Sequence, residues 1–180
     1  MDDVEFERLV GSGDWRDPAK ERRLYARARS PLGEVLLHRA RATRGGVESQ
    51  WEGWEEWTVG IGGNDVLVLH DMGNPGGPAL RRVAKTVHGE FAGVGMTVRG
   101  QRSLLPSGRS VVLSMAGGAI RFRTQGFRIQ AVSARGDVVG ERRGGVWGGV
   151  RAEADVVAAV CVFEWAGLDG FLGFPLLQYV

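Results

Sequence analysis

The chain has 180 residues, 43 per cent of them apolar and 24 per cent charged, with a formal net charge of +2. This length and composition fit one soluble globular domain with a sizeable core, and 29 glycines without a G-X-Y period exclude collagen. The single cysteine, Cys161, excludes an intramolecular disulfide and a cysteine zinc cluster.

Residues 1–21 carry seven acidic and three basic groups and read as an acidic N-terminal arm ahead of a single β-rich domain over 22–180. Phe6, Leu9 and Val10 have helical spacing, but Gly11-Ser12-Gly13 stops anything longer than about two turns. The arm is therefore expected as a short docking helix or a frayed tail. It has no basic segment leading into an apolar one, which argues against secretion and for a cytoplasmic chain.

From Arg22 the period becomes two. Leu24, Ala26 and Ala28 alternate with Arg23, Tyr25, Arg27 and Arg29, Ser30-Pro31-Leu32-Gly33 turns, and Glu34 to Ala42 returns, which predicts a hairpin. Beyond Gly45-Gly46 come Trp51, Trp54 and Trp57, spaced by three with glutamates between them. If exposed, they form a protein-binding patch, since tryptophan dominates interface energetics. The alternative is a loop that tucks its indoles over an open end of the sheet.

Gly60-Ile61-Gly62-Gly63 superficially matches a phosphate-cradling loop, but it runs into the strand Val66 to Leu69 rather than a helix, so a hairpin turn is expected. Asp71 to Pro78 is a loop on turn chemistry. Leu80, Val83, Ala84, Val87 and Phe91 then fall at helical spacing, predicting an amphipathic helix from Pro78 to Phe91.

Beyond Gly93 the pattern is an antiparallel meander. Its strands centre on Val94–Val98, Val111–Leu113, Ile120–Thr124, Phe127–Ala131 and Val138–Val139, with turns at Pro106–Gly108, Gly117-Gly118 and Ala134–Asp137. The meander ends in an apolar run, Val156 to Phe163, between Asp155 and Glu164, with Gly167 behind. A helix over 155–166 that is apolar on every side must be buried. The fold class is accordingly α+β, a β-dominated antiparallel barrel or strongly curved sheet around that helix. Apolar runs of this length fall far short of the roughly 20 residues that span a bilayer.

The most suggestive surface is basic. Residues 99–143 hold nine arginines against Asp137 and Glu141. Arg121 and Arg123 share one strand face, and Arg128 follows on the next strand. Guanidinium forks present paired donors to phosphate or carboxylate, which points to a small anion or an anionic lipid head group. The alternative is a solvated sheet face coloured by the arginine usage of a GC-rich bacterial genome, since only Lys20 and Lys85 are lysines. Nucleic acid is disfavoured because Phe122 and Phe127 fall on the core-facing alternation, leaving no aromatics among the arginines to stack bases. His38, His70 and His88 lack metal-ligand spacing, and Cys161 lies in the apolar run, so no catalytic constellation, metal or cofactor is expected.

One resemblance follows. The strand–turn–strand phrase Gly126 to Val139, and the apolar helix Asp155 to Asp169 closing on Leu168-Asp169, resemble the tubby C-terminal-like superfamily, which includes the LURP-one-related proteins and phospholipid scramblases. The resemblance implies a twelve-stranded barrel threaded by the helix, with membrane-lipid or phosphoinositide contact through basic surface residues and no enzymatic turnover.

Overall fold

The computed structural model describes residues 3–9, 21–41, 43–44, 47–48 and 55–173. In chain order the strands are β1 (Glu5–Arg8), β2 (Arg23–Ser30), β3 (Gly33–Arg41), a separate two-stranded ribbon of β4 (Thr43–Arg44) and β5 (Val47–Glu48), then β6 (Glu55–Ile61), β7 (Asn64–His70), β8 (Val87–Phe91), β9 (Val94–Gln101), β10 (Ser110–Met115), β11 (Gly118–Gln125), β12 (Arg128–Ser133), β13 (Val138–Arg143) and β14 (Val146–Gly148). Apart from the ribbon, they form one twelve-stranded sheet in which each strand pairs antiparallel with the next. The Val4 amide donates to the carbonyl of Trp147 at 3.1 Å, bringing the two sheet edges together in a nearly closed barrel. Closure of this kind removes the unpaired edges that an open sheet would present.

Alternation decides which face is inside. Val35, Leu37, Val98, Val111, Leu113, Ile120 and Phe122 are buried, while the intervening Arg99, Ser114, Arg121 and Arg123 face solvent. The side chains of α2 (Ala154–Trp165) from Val156 to Phe163 are all buried, and the helix packs against β2, β6, β7 and β13. Phe122 stacks on Phe163 with ring centroids 4.2 Å apart, and Trp147 meets both rings edge-on at 5.8 and 5.9 Å. Asp155 in the first turn complements the helix dipole. Gly167, at φ +66°, supplies the left-handed residue that ends α2 after Ala166.

The core also holds an ion pair. Arg39 Nε and Nη2 donate to Glu55 at 2.7 and 2.8 Å, with both side chains fully buried. Trp57 Nε1 donates to the same carboxylate at 2.9 Å, Asn74 Oδ1 accepts from Arg39 at 3.0 Å, and the guanidinium lies over the Tyr25 ring at 4.4 Å. Burial is tolerable because charge and hydrogen bonds are satisfied together.

The up-and-down order gives the barrel two unlike ends. At one, residues 31–32, 62–63, 92–93 and 116–117 make two-residue turns, and residues 134–137 a short one. At the other lie the long connections 71–86 and 102–109, the tight turns 126–127 and 144–145, and the C-terminal end of α2, where the Gly76 amide donates to the Ala166 carbonyl. The 71–86 connection contains α1 (Gly77–Val83), residues 102–109 contain a single 3-10 turn at Pro106–Gly108, and α3 (Asp169–Leu172) follows α2. Long loops carried by a rigid scaffold are where binding surfaces are usually built.

Three expectations are corrected. The helix expected over Pro78–Phe91 stops at Val83, and Val87–Phe91 is strand β8. Val87 and Phe91, four residues apart, share a face in a helix and equally in a strand, so their spacing could not separate the two. The acidic arm contains neither helix nor fray at Glu5–Arg8, which pairs with β2 and sets Phe6 edge-on to Trp165 at 5.9 Å. Phe127, placed on the core-facing alternation, sits in the Gly126-Phe127 turn and is fully exposed, because alternation begins only with Arg128.

Candidate functional site

The arginines singled out in the sequence lie on the outer face of β9–β13. Arg121 pairs across β10 with Val112, which pairs in turn with Arg99, so Arg99 and Arg121 stand in one row. Arg123 is two residues along the strand from Arg121, about 7 Å away on the same face. Arg99, Arg121 and Arg123 are exposed and make no ion pair among the described residues. Three uncompensated guanidiniums therefore share one surface of the barrel wall.

Arg128 differs. Its Nη1 contacts Glu141 Oε1 at 3.4 Å, and Arg143 Nε donates to that same oxygen. Gln130 Nε2 donates to Glu141 Oε2 at 3.0 Å. The Gln130 hydrogen bond, then Arg143, holds the Glu141 carboxyl below its ordinary range. Arg128 is thus one member of a hydrogen-bonded cluster at the edge of the arginine face. Its position follows from the register that sets Gln130 opposite both Arg123 and Glu141.

Of the three tryptophans, Trp57 points into the barrel, fully buried against the Arg39–Glu55 pair. It is a core residue and offers no surface to a partner. Trp51 and Trp54 lie outside the described residues.

At the end of the barrel that carries the long loops, a cavity of about 390 Å³ opens between α1, the 102–109 connection and α3, lined by Leu80, Arg81, Arg102, Ser103, Arg109, Gly170 and Phe171. The same end displays Leu104, 100 per cent exposed, with Leu105 and Phe127 also exposed. Neither feature was singled out from the sequence. Arg81 lies on α1, far in the chain from Arg102 and Arg109, and Leu104-Leu105 is a dipeptide too short to show a period.

The histidines gain neighbours that spacing did not show. His70 and His88 stand directly opposite across β7 and β8, and His70 Nδ1 is 3.5 Å from Glu56. His38 Nδ1 lies 3.4 Å from Arg22, which also forks onto Asp65 with two contacts of 2.7 Å. Burial, then the Arg22 charge, lowers the His38 pKa from its ordinary 6.5, and the Arg22 hydrogen bond lowers that of Asp65. Among the described residues no cluster of three or more histidine, cysteine or acidic side chains could hold a metal. Cys161 is fully buried, and burial pushes its thiol far up, so it holds its proton and is a poor nucleophile.

No family model, curated protein or solved structure matches the chain.

Proposed function

We propose that this is a non-enzymatic, cytoplasmic binding protein that engages an anionic membrane surface through the arginine face of β9–β11, with Arg128 at its edge. The observation that carries this reading is the unpaired state of Arg99, Arg121 and Arg123 on one wall. Unpaired guanidiniums on a rigid sheet keep their charge available to phosphate, whereas those engaged by carboxylates do not. The exposed Leu104, Leu105 and Phe127 cap the same strands and supply apolar tips beside the charge, a combination suited to a lipid interface. The twelve antiparallel strands and the apolar α2 are what support reading the barrel as tubby-like, in an α+β domain organised around that helix.

The test is co-sedimentation with vesicles of phosphatidylcholine alone or with phosphatidylserine added, at two salt concentrations. Binding is expected only with the anionic lipid and is expected to weaken with salt, because exposed charges are screened. Each basic group near such a surface contributes about 1 kcal/mol, so Arg121→Ala with Arg123→Ala should weaken partitioning on the order of 30-fold. Absence of binding, or binding indifferent to both substitutions, would refute the reading.

A further inference from the structure

The cavity at the loop-bearing end has a composition that the outer arginine face does not. Among the described residues that line it, Arg81, Arg102 and Arg109 are arginines and none is acidic. Arg81 and Arg102 make no ion pair among the described residues. Arg109 is held by neutral carbonyls, donating from Nε to Ser103 O at 3.2 Å and from Nη1 to Gly173 O at 2.6 Å. Those bonds orient the guanidinium without cancelling its charge. Like charges gathered on one small cavity repel, and an anion between them turns that repulsion into attraction.

The other side of the cavity is apolar. Leu80 and Phe171 are half-buried against the core and line the same space. Phe171 is seated by a glycine: Gly100 is an inward, buried position of β9, and a Cβ there would overlap the Phe171 ring. The 102–109 connection is shaped in the same way, since a Cβ on Gly108 would overlap the side chain of Ser103. A volume of about 390 Å³ lies within the range of small-molecule sites, which is far too small for a macromolecular partner.

We infer that the cavity between α1, the 102–109 connection and α3 binds a small organic phosphate monoester, its phosphate held by Arg81, Arg102 and Arg109 and its apolar group lying on Leu80 and Phe171. The forked donors of three guanidiniums match the oxygens of a dianion, and the ring and the leucine reward a ligand that carries more than phosphate alone. The site uses residues distinct from Arg99, Arg121 and Arg123, so it stands or falls independently of membrane binding.

The experiment is calorimetric titration of the full chain with phenyl phosphate and with inorganic phosphate at low ionic strength. Phenyl phosphate should bind at least tenfold more tightly than inorganic phosphate. Arg81→Ala and Arg102→Ala alter exposed side chains, should leave the melting temperature unchanged, and should each weaken phenyl phosphate about tenfold or more. Phe171→Ala should reduce phenyl phosphate to the level of inorganic phosphate, and Gly100→Ala, which displaces the ring without removing it, should act in the same direction. The site would be overturned by no measurable binding of phenyl phosphate, by equal affinity for the two probes, or by binding that survives Arg81→Ala and Arg102→Ala. A loss of binding in Arg121→Ala with Arg123→Ala but not in the cavity variants would assign the anion to the outer face instead.

Discussion

Glu55 shows how one side chain can hold several others. Its carboxylate accepts from Arg39 and from Trp57, and all three side chains are fully buried. Replacing it by glutamine keeps the shape but removes the carboxylate charge that faces Arg39 in the core. Breaking a buried pair in this way costs about 3–5 kcal/mol, so Glu55→Gln should lower the denaturant midpoint sharply in chemical unfolding. An unchanged midpoint would refute a stabilising role for the Arg39–Glu55 pair. The pair was not legible in the sequence. Val35, Leu37 and Arg39 follow one alternation, and an arginine on it reads as an interruption until its partner, 16 residues away, is brought beside it by β6. Arg121 and Arg123 were legible because their neighbours Ile120 and Phe122 declare the inner face.

At the scale of elements, α2 follows directly from its residues, and the observed Ala154–Trp165 lies within a residue of the range expected. An apolar run with no polar side has nowhere to go but inward, so its burial needs no knowledge of what surrounds it. Val160 sits mid-helix and fully buried. Val160→Asp would place an unpaired charge among apolar neighbours and should cost about 3 kcal/mol or more. Soluble expression with an unchanged melting temperature would contradict the burial of α2. The α1–β8 region shows the opposite case. There the apolar spacing satisfied both periods, and the strand prevailed because β7 and β9 each supply a partner edge for Val87–Phe91. Gly89 sharpens the point, since a Cβ there would overlap the backbone of β7, a contact that exists only once the strands pair.

At the scale of the whole molecule, several titrating groups push stability in one direction. His38 has its pKa lowered from 6.5, so the native state binds its proton less readily than the unfolded chain does. Its contribution is complete above pH 6.5 and is lost as pH falls through the lowered value. Asp65 and Glu141, lowered from 3.8 and 4.5, add losses of the same sign at more acid pH. Thermal unfolding followed from pH 8 to pH 3 should show a melting temperature that begins to fall below about pH 6.5, and His38→Gln should remove the upper part of that fall. A flat profile down to pH 4 would show that His38 is as solvated in the native state as in the unfolded chain.

What the residues determine alone is the local grammar: strands that alternate, turns that need glycine, and one helix with no polar face. These are short-range consequences of backbone sterics and burial, and they carry the β-dominated architecture and the inside of each strand. What only the tertiary structure decides is which distant residues meet. Barrel closure through Val4 and Trp147, the Arg39–Glu55 pair, and the gathering of Arg81, Arg102, Arg109 and Phe171 around one cavity all join segments far apart in the chain. No periodicity encodes such meetings, because they depend on strand order and register, which are settled by packing the whole barrel at once.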